Sequence, residues 1–224
     1  MDLSKSYDYF QPEKMGNTPI HIIGCGSVGA TVAENLTRCG VKNLHLWDFD
    51  IVESHNIANQ IFRLADVGTA KTEALLGILT EINPELKDTV VLHNEGWQGE
   101  TLTGFVFLCA DSMKVRQAVV DKHMASIFVK AMFDFRTELE SAQHYAVDWK
   151  SIKARQNFRK SMDFTDEEAK AATPVSACGT TLSVCPTIRT ICAFGVSNFM
   201  NFWNGKPLKT LILVDAFNFN IQAY

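Results

Sequence analysis

The sequence predicts an α/β protein with a doubly wound, mainly parallel sheet and antiparallel strands in its C-terminal half. The first observation is that short apolar runs alternate with helical periodicity through residues 19–135, which is the pattern of successive strand–helix–strand units. The second is a glycine-rich turn between the first apolar run and the first helix. The third is that the pattern changes in the second half: after a strand over 127–133, a strand is expected over 138–147 that we expect to run antiparallel.

The elements of the first half follow in a regular order. An apolar strand over 20–24 precedes a helix over 27–39, in which Val28, Val32 and Leu36 recur at helical spacing. The remaining expected elements are strands over 43–48, 88–93 and 104–109, a loop with short turns over 49–65, and helices over 69–82 and 112–125. Together they predict the parallel part of the sheet.

The second half is less regular. Residues 150–173 are charged and polar, and two interpretations stay open for them: solvated helices outside the sheet, or a flap over a functional site. An apolar helix rich in aromatic residues is expected over 182–203, and a last strand over 209–215. We expect a single domain over 1–224, with halves at 19–135 and 136–224 and a crossover segment at 150–180.

Composition narrows the functional classes. The chain has 224 residues, of which 46% are hydrophobic, and its net charge is −4. It is long enough to bury a substantial core, and its acidic balance argues against sequence-independent binding of nucleic acid. No apolar run approaches the ~20 residues of a membrane span, and residues 1–10 lack an apolar signal core. We therefore expect a cytoplasmic protein without a nucleic-acid or membrane partner.

The cysteines are expected to be reduced and largely buried. There are six of them, and none forms a Cys-x-x-Cys pair. Cys109 lies inside the apolar run Phe105–Cys109, which is typical of a small buried hydrophobic residue. A structural zinc site is the alternative, but the spacing of seven between Cys178, Cys185 and Cys192 is not the usual zinc spacing.

The glycine-rich turn indicates a phosphate site. Gly24, Gly26 and Gly29 follow a strand and open a helix, where small residues let backbone N–H groups approach phosphates closely. Asp48 ends the second strand, at the place where an acidic side chain accepts hydrogen bonds from ribose hydroxyls. These residues predict a Rossmann-like, nucleotide-binding half over 19–135; glycines that serve packing alone are the alternative.

The residues that follow give a more specific indication. Asp50 follows Asp48, and then come Asn56, Gln60, Lys71 and, after the fourth strand, Asp111. This order resembles the ThiF/MoeB/ubiquitin-activating superfamily of adenylyltransferases over residues 20–120. In the second half, the segments Asp134–Arg136 and Ala177–Gly179 and the apolar helix after them are similar to short bacterial and phage ThiF-like proteins.

The resemblance implies ATP and Mg²⁺ as cofactors and assigns a role to each residue. Asp48 would hold the ribose, Asn56 and Gln60 would line the phosphate pocket, and Asp50 and Asn59 would complete the nucleotide site. Lys71 would neutralise the triphosphate, since an ammonium suits a moving charge. Asp111 would hold Mg²⁺, which makes pyrophosphate a better leaving group.

The resemblance also implies the partner and the product. The attacking group would be the C-terminal carboxylate of a small ubiquitin-like or sulfur-carrier protein, and the product would be an acyl-adenylate. The enzyme would be a homodimer. Ubiquitin-activating enzymes pass the acyl group to a cysteine, and Cys178 is the candidate here; proximity to a helix N-terminus would lower its pKa. A structural cysteine without thioester chemistry is the alternative for Cys178.

Two positions depart from that superfamily, which commonly has an arginine directly before the glutamine and another in an N-terminal arm of the dimer partner. Here Asn59 precedes Gln60, and the first arginine of the chain is Arg38. Arg63 is a candidate to replace the missing cation. Since losing one such electrostatic group costs roughly 10²–10³ in rate, a catalytically weak or inactive ThiF-like binding subunit is an alternative function.

Three further alternatives stay open. Lys71 could be a solvated residue at the start of its helix, and Asp111 could be a helix N-cap. An NAD-dependent oxidoreductase is the less favoured function, because the sequence has no Tyr-x-x-x-Lys pair and no evident His–Asp relay.

Overall fold

The computed structural model describes residues 1–172 and 182–224, and it places their strands in one eight-stranded sheet. The strands are β1 (Ile20–Ile23), β2 (Leu44–Trp47), β3 (Val91–His93), β4 (Gly104–Leu108), β5 (Val129–Thr137), β6 (Ser141–Asp148), β7 (Leu211–Asp215) and β8 (Asn220–Ala223). Their order across the sheet is β3-β2-β1-β4-β5-β6-β7-β8. The pairs from β3 to β5 are parallel and those from β5 to β8 are antiparallel, which confirms the predicted fold class.

Helices cover both faces of the sheet. They are α1 (Ser27–Arg38), α2 (Lys71–Ile82), α3 (Met113–His123), α4 (Ile152–Lys160), α5 (Asp166–Ala172) and α6 (Cys185–Trp203). Short 3-10 helices at Ser54–Ala58 and Leu64–Asp66 lie in the connection that the sequence predicted as a loop with turns. None of the helices in the described ranges is long and apolar enough to cross a membrane.

Alternation along the strands divides the core into two layers. Ile20 and Ile22 of β1 belong to the layer that contains residues of α1, α2 and α6. Ile23 belongs to the layer that contains residues of α3 and α4. This follows from the period of two in a strand, which sends successive side chains to opposite faces.

The part of the charged segment that the structure describes, residues 150–172, is not simply solvated. Helix α4 is amphipathic: Phe158 packs into the second core layer and Arg155 is buried, while Lys153 and Lys160 are exposed. Met162 after the helix is also buried in that layer. These described residues therefore cover a face of the sheet. The sequence does not indicate this, because its apolar residues are widely spaced among charged ones.

Several element boundaries differ from the prediction, and one strand is additional. Strand β3 begins at Val91 and not at 88, and β6 begins at Ser141 and not at 138. Strand β8 was not predicted: its four residues alternate polar and apolar side chains, but the strand is short and all four residues are exposed. Strand β5 continues to Thr137, four residues beyond the predicted end, because it pairs with β6 over its whole length. Helix α6 begins at Cys185 and not at residue 182, with Pro186 in its first turn.

Candidate nucleotide-binding site

The predicted site residues lie at one edge of the sheet. Strands β1, β2 and β4 are parallel neighbours, so their carboxyl ends and the loops that follow them meet at the same edge. The glycine-rich turn follows β1, Asp48 and Asp50 follow β2, and Asp111 follows β4. Such an edge, where the strand order changes direction, is the usual ligand site of an open α/β sheet.

The three glycines of the turn have different tasks. Gly24 has φ +93°, and a Cβ built there would lie 2.6 Å from the backbone N of Ala110. A Cβ on Gly29 would lie 1.8 Å from the carbonyl oxygen of Gly24. A Cβ on Gly26, by contrast, would meet no atom within 4 Å. Gly24 and Gly29 are thus required for packing, whereas Gly26 leaves open space beside the first turn of α1, where a phosphate fits.

Asp48 ties the loop after β2 to the glycine turn. Its Oδ2 accepts a hydrogen bond from the backbone N of Cys25 at 2.6 Å, and its Oδ1 accepts one from the backbone N of Asp50 at 2.8 Å. Burial raises the pKa of Asp48, and these two N–H donors oppose that rise. Each carboxylate oxygen keeps a second lone pair, so Asp48 can still accept hydrogen bonds from ribose hydroxyls.

Lys71 is buried and paired. Its Nζ lies 2.7 Å from Oδ2 of Asp50, and its backbone N donates to the carbonyl of Asp50 at 2.9 Å. Lys71 is only 8% exposed, so the alternative of a solvated lysine is wrong. Asp50 is exposed, which places the ion pair at the protein surface, where the ammonium can exchange one anionic partner for another.

The three amides of the following loop are held differently. Asn56 caps a 3-10 helix, since its Oδ1 accepts from the backbone N of Glu53 at 2.9 Å. Asn59 Nδ2 donates to Ser183 Oγ at 2.6 Å, and so reaches the segment before α6. The Oε1 of Gln60 is buried and has no hydrogen-bond partner among the described residues. The buried Oε1 of Gln60 therefore has acceptor capacity left for a ligand.

Asp111 and the neighbouring Ser112 are separable. Asp111 is exposed, and the N-cap of α3 is Ser112, whose Oγ accepts from the backbone N of Val115 at 3.4 Å. Asp166 of α5 adds to this cap, since it accepts from Ser112 Oγ at 3.1 Å and from the backbone N of Met113. The alternative that Asp111 is the cap is therefore wrong, and its exposed carboxylate lies at the sheet edge that follows β4.

The residues present fit a magnesium nucleotide better than a metal cage built by the protein. Within residues 1–172 and 182–224 no three His, Cys, Asp or Glu side chains cluster in a way that could hold a metal ion. Mg²⁺ is commonly bound through one or two carboxylates together with the phosphates of its substrate. The exposed carboxylate of Asp111 beside the open space at Gly26 suits that arrangement.

A buried charge network lies behind the site, and the sequence did not predict it. Arg116 Nη1 and Arg136 Nε each lie 2.7 Å from an oxygen of Asp134, which is fully buried. Arg116 Nε also donates to the carbonyl of Ala110 at 2.7 Å, which fixes the backbone just before Asp111. The signal in the sequence was a carboxylate inside an apolar strand, since such a charge requires partners.

Arg63 does not supply the missing cation. Its Nε lies 3.1 Å from Asp66 Oδ2, and its Nη1 pairs with Glu81 of α2. These two carboxylates raise the pKa of Arg63 and hold its guanidinium at α2. The expectation that Arg63 replaces the arginine absent at Asn59 is therefore not supported by its contacts.

The cysteines follow the prediction where the structure describes them. Cys25, Cys109 and Cys192 are buried free thiols, and burial raises the pKa of each. Cys39 and Cys185 are partly buried free thiols. Cys178, the candidate nucleophile, lies outside the described residues.

Comparison with known proteins identifies the class. A model of the ThiF family matches residues 6–222, and the chain therefore belongs to the ThiF family. Ubiquitin-like modifier-activating enzyme 5 of Arabidopsis thaliana is 41% identical over 93 residues, which are 42% of this chain and 21% of that enzyme. The enzyme of the same name from Dictyostelium discoideum is 32% identical over 123 residues, 48% of this chain and 32% of that enzyme. The chain thus spans a third or less of these two relatives.

Solved structures share the fold. A crystal structure of E. coli MccB with ATP matches with a TM-score of 0.74 and 17% identity over 95% of this chain and 65% of that one. PaaA matches with a TM-score of 0.70 and 16% identity over the same shares of the two chains. These neighbours confirm the Rossmann-like, mainly parallel sheet with antiparallel strands in the C-terminal half.

Proposed function

We propose that this protein is an ATP-dependent adenylyltransferase that activates the C-terminal carboxylate of a small ubiquitin-like or sulfur-carrier protein. The observation that carries the proposal is the juxtaposition, at one sheet edge, of an open glycine turn, the Lys71–Asp50 pair and the exposed carboxylate of Asp111. The relatives named as modifier-activating enzymes and the neighbour crystallised with ATP support it. A further MccB structure contains MccA, so that neighbour binds a second molecule besides the nucleotide.

We assign each site residue to one part of the nucleotide. Asp48 binds the ribose hydroxyls, and the N-terminal turn of α1 beside Gly26 receives a phosphate through its unpaired N–H groups. Lys71 neutralises phosphate charge, and Asp111 holds Mg²⁺ together with phosphate oxygens. The metal ion, when bound, withdraws charge from the pyrophosphate that leaves.

The reaction is a displacement at the α-phosphorus. A carboxylate oxygen of the carrier's C-terminus forms the new phosphorus–oxygen bond, and the bond to the bridging oxygen of the β-phosphate breaks. The electron pair leaves with pyrophosphate, and an acyl-adenylate remains. Lys71 contributes because the ammonium that Asp50 holds at 2.7 Å follows the negative charge that grows on the leaving group.

Thioester formation on Cys178 is a separate question from adenylation. The residues that we assign to adenylation lie at the glycine turn, in the loop after β2 and at the end of β4. We propose that adenylation is independent of Cys178, so that Cys178→Ala retains pyrophosphate exchange. Mass spectrometry of the carrier mixture, before and after reducing agent, tests whether any thiol-labile adduct depends on this cysteine.

Two measurements test the proposal. Magnesium ATP should raise the midpoint of thermal unfolding more than NAD at equal concentration, since a ligand that binds the folded state stabilises it by mass action. Addition of candidate small ubiquitin-like and sulfur-carrier proteins should then start ATP–pyrophosphate exchange. A larger shift with NAD would contradict adenylation. ATP binding without exchange with any of these carriers would favour the alternative of an inactive binding subunit.

We also propose that the enzyme is a homodimer. Light scattering at the concentrations used for exchange should give twice the mass of the chain. A monomer that exchanges at full rate would contradict the dimer and leave the proposed reaction intact.

A further inference from the structure

Helix α6 extends past the start of α1 at the edge of the sheet that holds the nucleotide site. The two helices are parallel: Cys192 Sγ contacts the carbonyl of Val28 at 3.6 Å, and further along Met200 Sδ contacts Cys39 Sγ at 3.7 Å. Val28 belongs to the first turn of α1. The residues of α6 before Cys192 therefore lie beyond the end of α1, on the side of the glycine turn.

Two contacts confirm the position of this N-terminal part of α6. Thr187 Oγ1 donates to the carbonyl of Leu139, which follows the carboxyl end of β5, at 2.9 Å. Asn59 Nδ2 donates to Ser183 Oγ, two residues before α6, at 2.6 Å. The first turns of α6 thus lie at the edge that holds the glycine turn, between the loop of Asn59 and the end of β5.

Arg189 is in this N-terminal part of α6 and on the side of the helix that packs against α1. Cys185, Arg189 and Cys192 are spaced as i, i+4 and i+7, which places them along one face of the helix. With a rise of 1.5 Å per residue, Arg189 lies about 4.5 Å from Cys192 toward the start of α6. Its Nε donates to Cys185 Sγ at 2.9 Å, so the guanidinium points further in the same direction.

The guanidinium of Arg189 has no anionic partner in the described part of the chain. Its hydrogen bond is to a thiol sulfur, which is a weak acceptor, and residues 173–181 contain no Asp or Glu. The other arginines bond to carboxylates or to backbone carbonyls: Arg38, Arg63, Arg116, Arg136, Arg155 and Arg159. Arg189 is exposed, so its charge is available to a ligand.

From this placement we infer that Arg189 binds the pyrophosphate portion of the nucleotide. A guanidinium donates in a planar fork that matches phosphate oxygens. The guanidinium of Arg189 can move from the thiol of Cys185 to a phosphate without breaking an ion pair to any described residue. Lys71, by contrast, has to break its ion pair with Asp50. The inference rests on the proposed function for the identity of the ligand, and it adds a phosphate-binding residue from the C-terminal half to a site otherwise built by the first half.

The test compares Arg189→Ala with Arg38→Ala, an exposed helical arginine at the C-terminal end of α1. Calorimetry with magnesium pyrophosphate and, separately, with AMP measures the two portions of the ligand. We expect Arg189→Ala to weaken pyrophosphate binding by roughly 10–100-fold, the value of a hydrogen bond to a charged group, and to leave AMP binding within about twofold. Arg189→Lys should lose less, because it keeps the charge without the fork. Arg38→Ala should match the wild type.

A second variant tests position as well as charge. Since Asn59 reaches the start of α6, Asn59→Arg in the Arg189→Ala background places a guanidinium at the same pocket and should restore most of the pyrophosphate affinity. Pyrophosphate binding by Arg189→Ala equal to the wild type would overturn the inference, as would an equal loss of AMP binding. If Arg189-dependent pyrophosphate binding occurs without any exchange activity, the inference stands and the proposed function fails. If Arg189→Ala exchanges at the wild-type rate, the inference about Arg189 fails and the proposed function stands.

Discussion

At the scale of single residues, adjacent side chains at the end of β4 have separable tasks. Ser112 caps α3 and Asp111 does not, since the cap hydrogen bond to Val115 comes from the serine. Asp111→Asn should therefore abolish pyrophosphate exchange with no change in the free energy of unfolding. Ser112→Ala should lower that free energy by about 1 kcal/mol, the usual value of an N-cap, and keep exchange. Chemical denaturation and the exchange assay, run on both variants, check the pair.

The control for this pair is Asp88→Asn, which removes an exposed carboxylate just before β3. This variant should change neither the free energy of unfolding nor pyrophosphate exchange. Exchange that survives in Asp111→Asn would show that this carboxylate is not needed for the reaction, whatever its exposure.

At the scale of elements, the glycine turn is expected to respond differently at its two ends. Gly29→Ala places a Cβ 1.8 Å from the carbonyl oxygen of Gly24, so α1 has to move away from the turn and the protein should lose several kcal/mol, in the range of overpacked cores or beyond. Gly26→Ala meets no atom, and because Gly26 is the N-cap of α1 it should lose no more than about 1 kcal/mol. The same methyl group fills the space proposed for a phosphate, so this variant should bind ATP weakly. Thermal unfolding with and without magnesium ATP measures both effects.

The network around Asp134 joins β5 to α3 and to the segment after α4. Asp134 is fully buried between Arg116 and Arg136, and Arg136 also donates to the carbonyl of Ser161 at 2.6 Å. Asp134→Ala leaves two unpaired charges, so it should cost about 3–5 kcal/mol of stability. Asp121→Ala breaks an ion pair whose carboxylate is 55% exposed and should cost less than about 1 kcal/mol. Equal losses in urea denaturation would mean that the buried network is not stabilising.

At the scale of the whole molecule, buried histidines predict a loss of stability in mild acid. Burial lowers the pKa of His21 to about 3 and of His144 to about 4, from an ordinary value of 6.5. At a pH between these lowered pKa values and 6.5, both histidines bind a proton in the unfolded chain and not in the folded protein. The free energy of unfolding therefore falls as the pH drops below 6.5. Each of the two histidines should contribute a loss of about 1.4 kcal/mol at pH 5.5.

Urea denaturation between pH 7.5 and 5.5 measures this loss. His21→Gln should reduce the slope of stability against pH, whereas His55→Gln, which changes a side chain 65% exposed, should not. A slope that is identical in His21→Gln and in the wild type would contradict the assignment to His21.

The sequence by itself determined the fold class and the edge of the sheet that holds the site. Apolar runs alternating with helical periodicity require a parallel sheet between helices, and the glycine turn with Asp48 marks the carboxyl ends of its strands. These are local signals, because backbone conformation and side-chain alternation repeat over a few residues. They located Lys71 and Asp111 as well, and the structure places both at that edge.

Only the tertiary structure decided which groups are free to act there. Arg63 and Arg189 are both arginines near the start of a helix or turn, yet Arg63 is held by two carboxylates, whereas among the described residues Arg189 is held by a thiol only. The edge strand β8 likewise is defined by its pairing with β7, since all four of its residues are exposed and contribute none to the core. The physical reason is the same in each case: an ion pair, a cap or a strand pairing joins residues far apart in the chain, and the free energy of that contact is not encoded in either partner's local sequence.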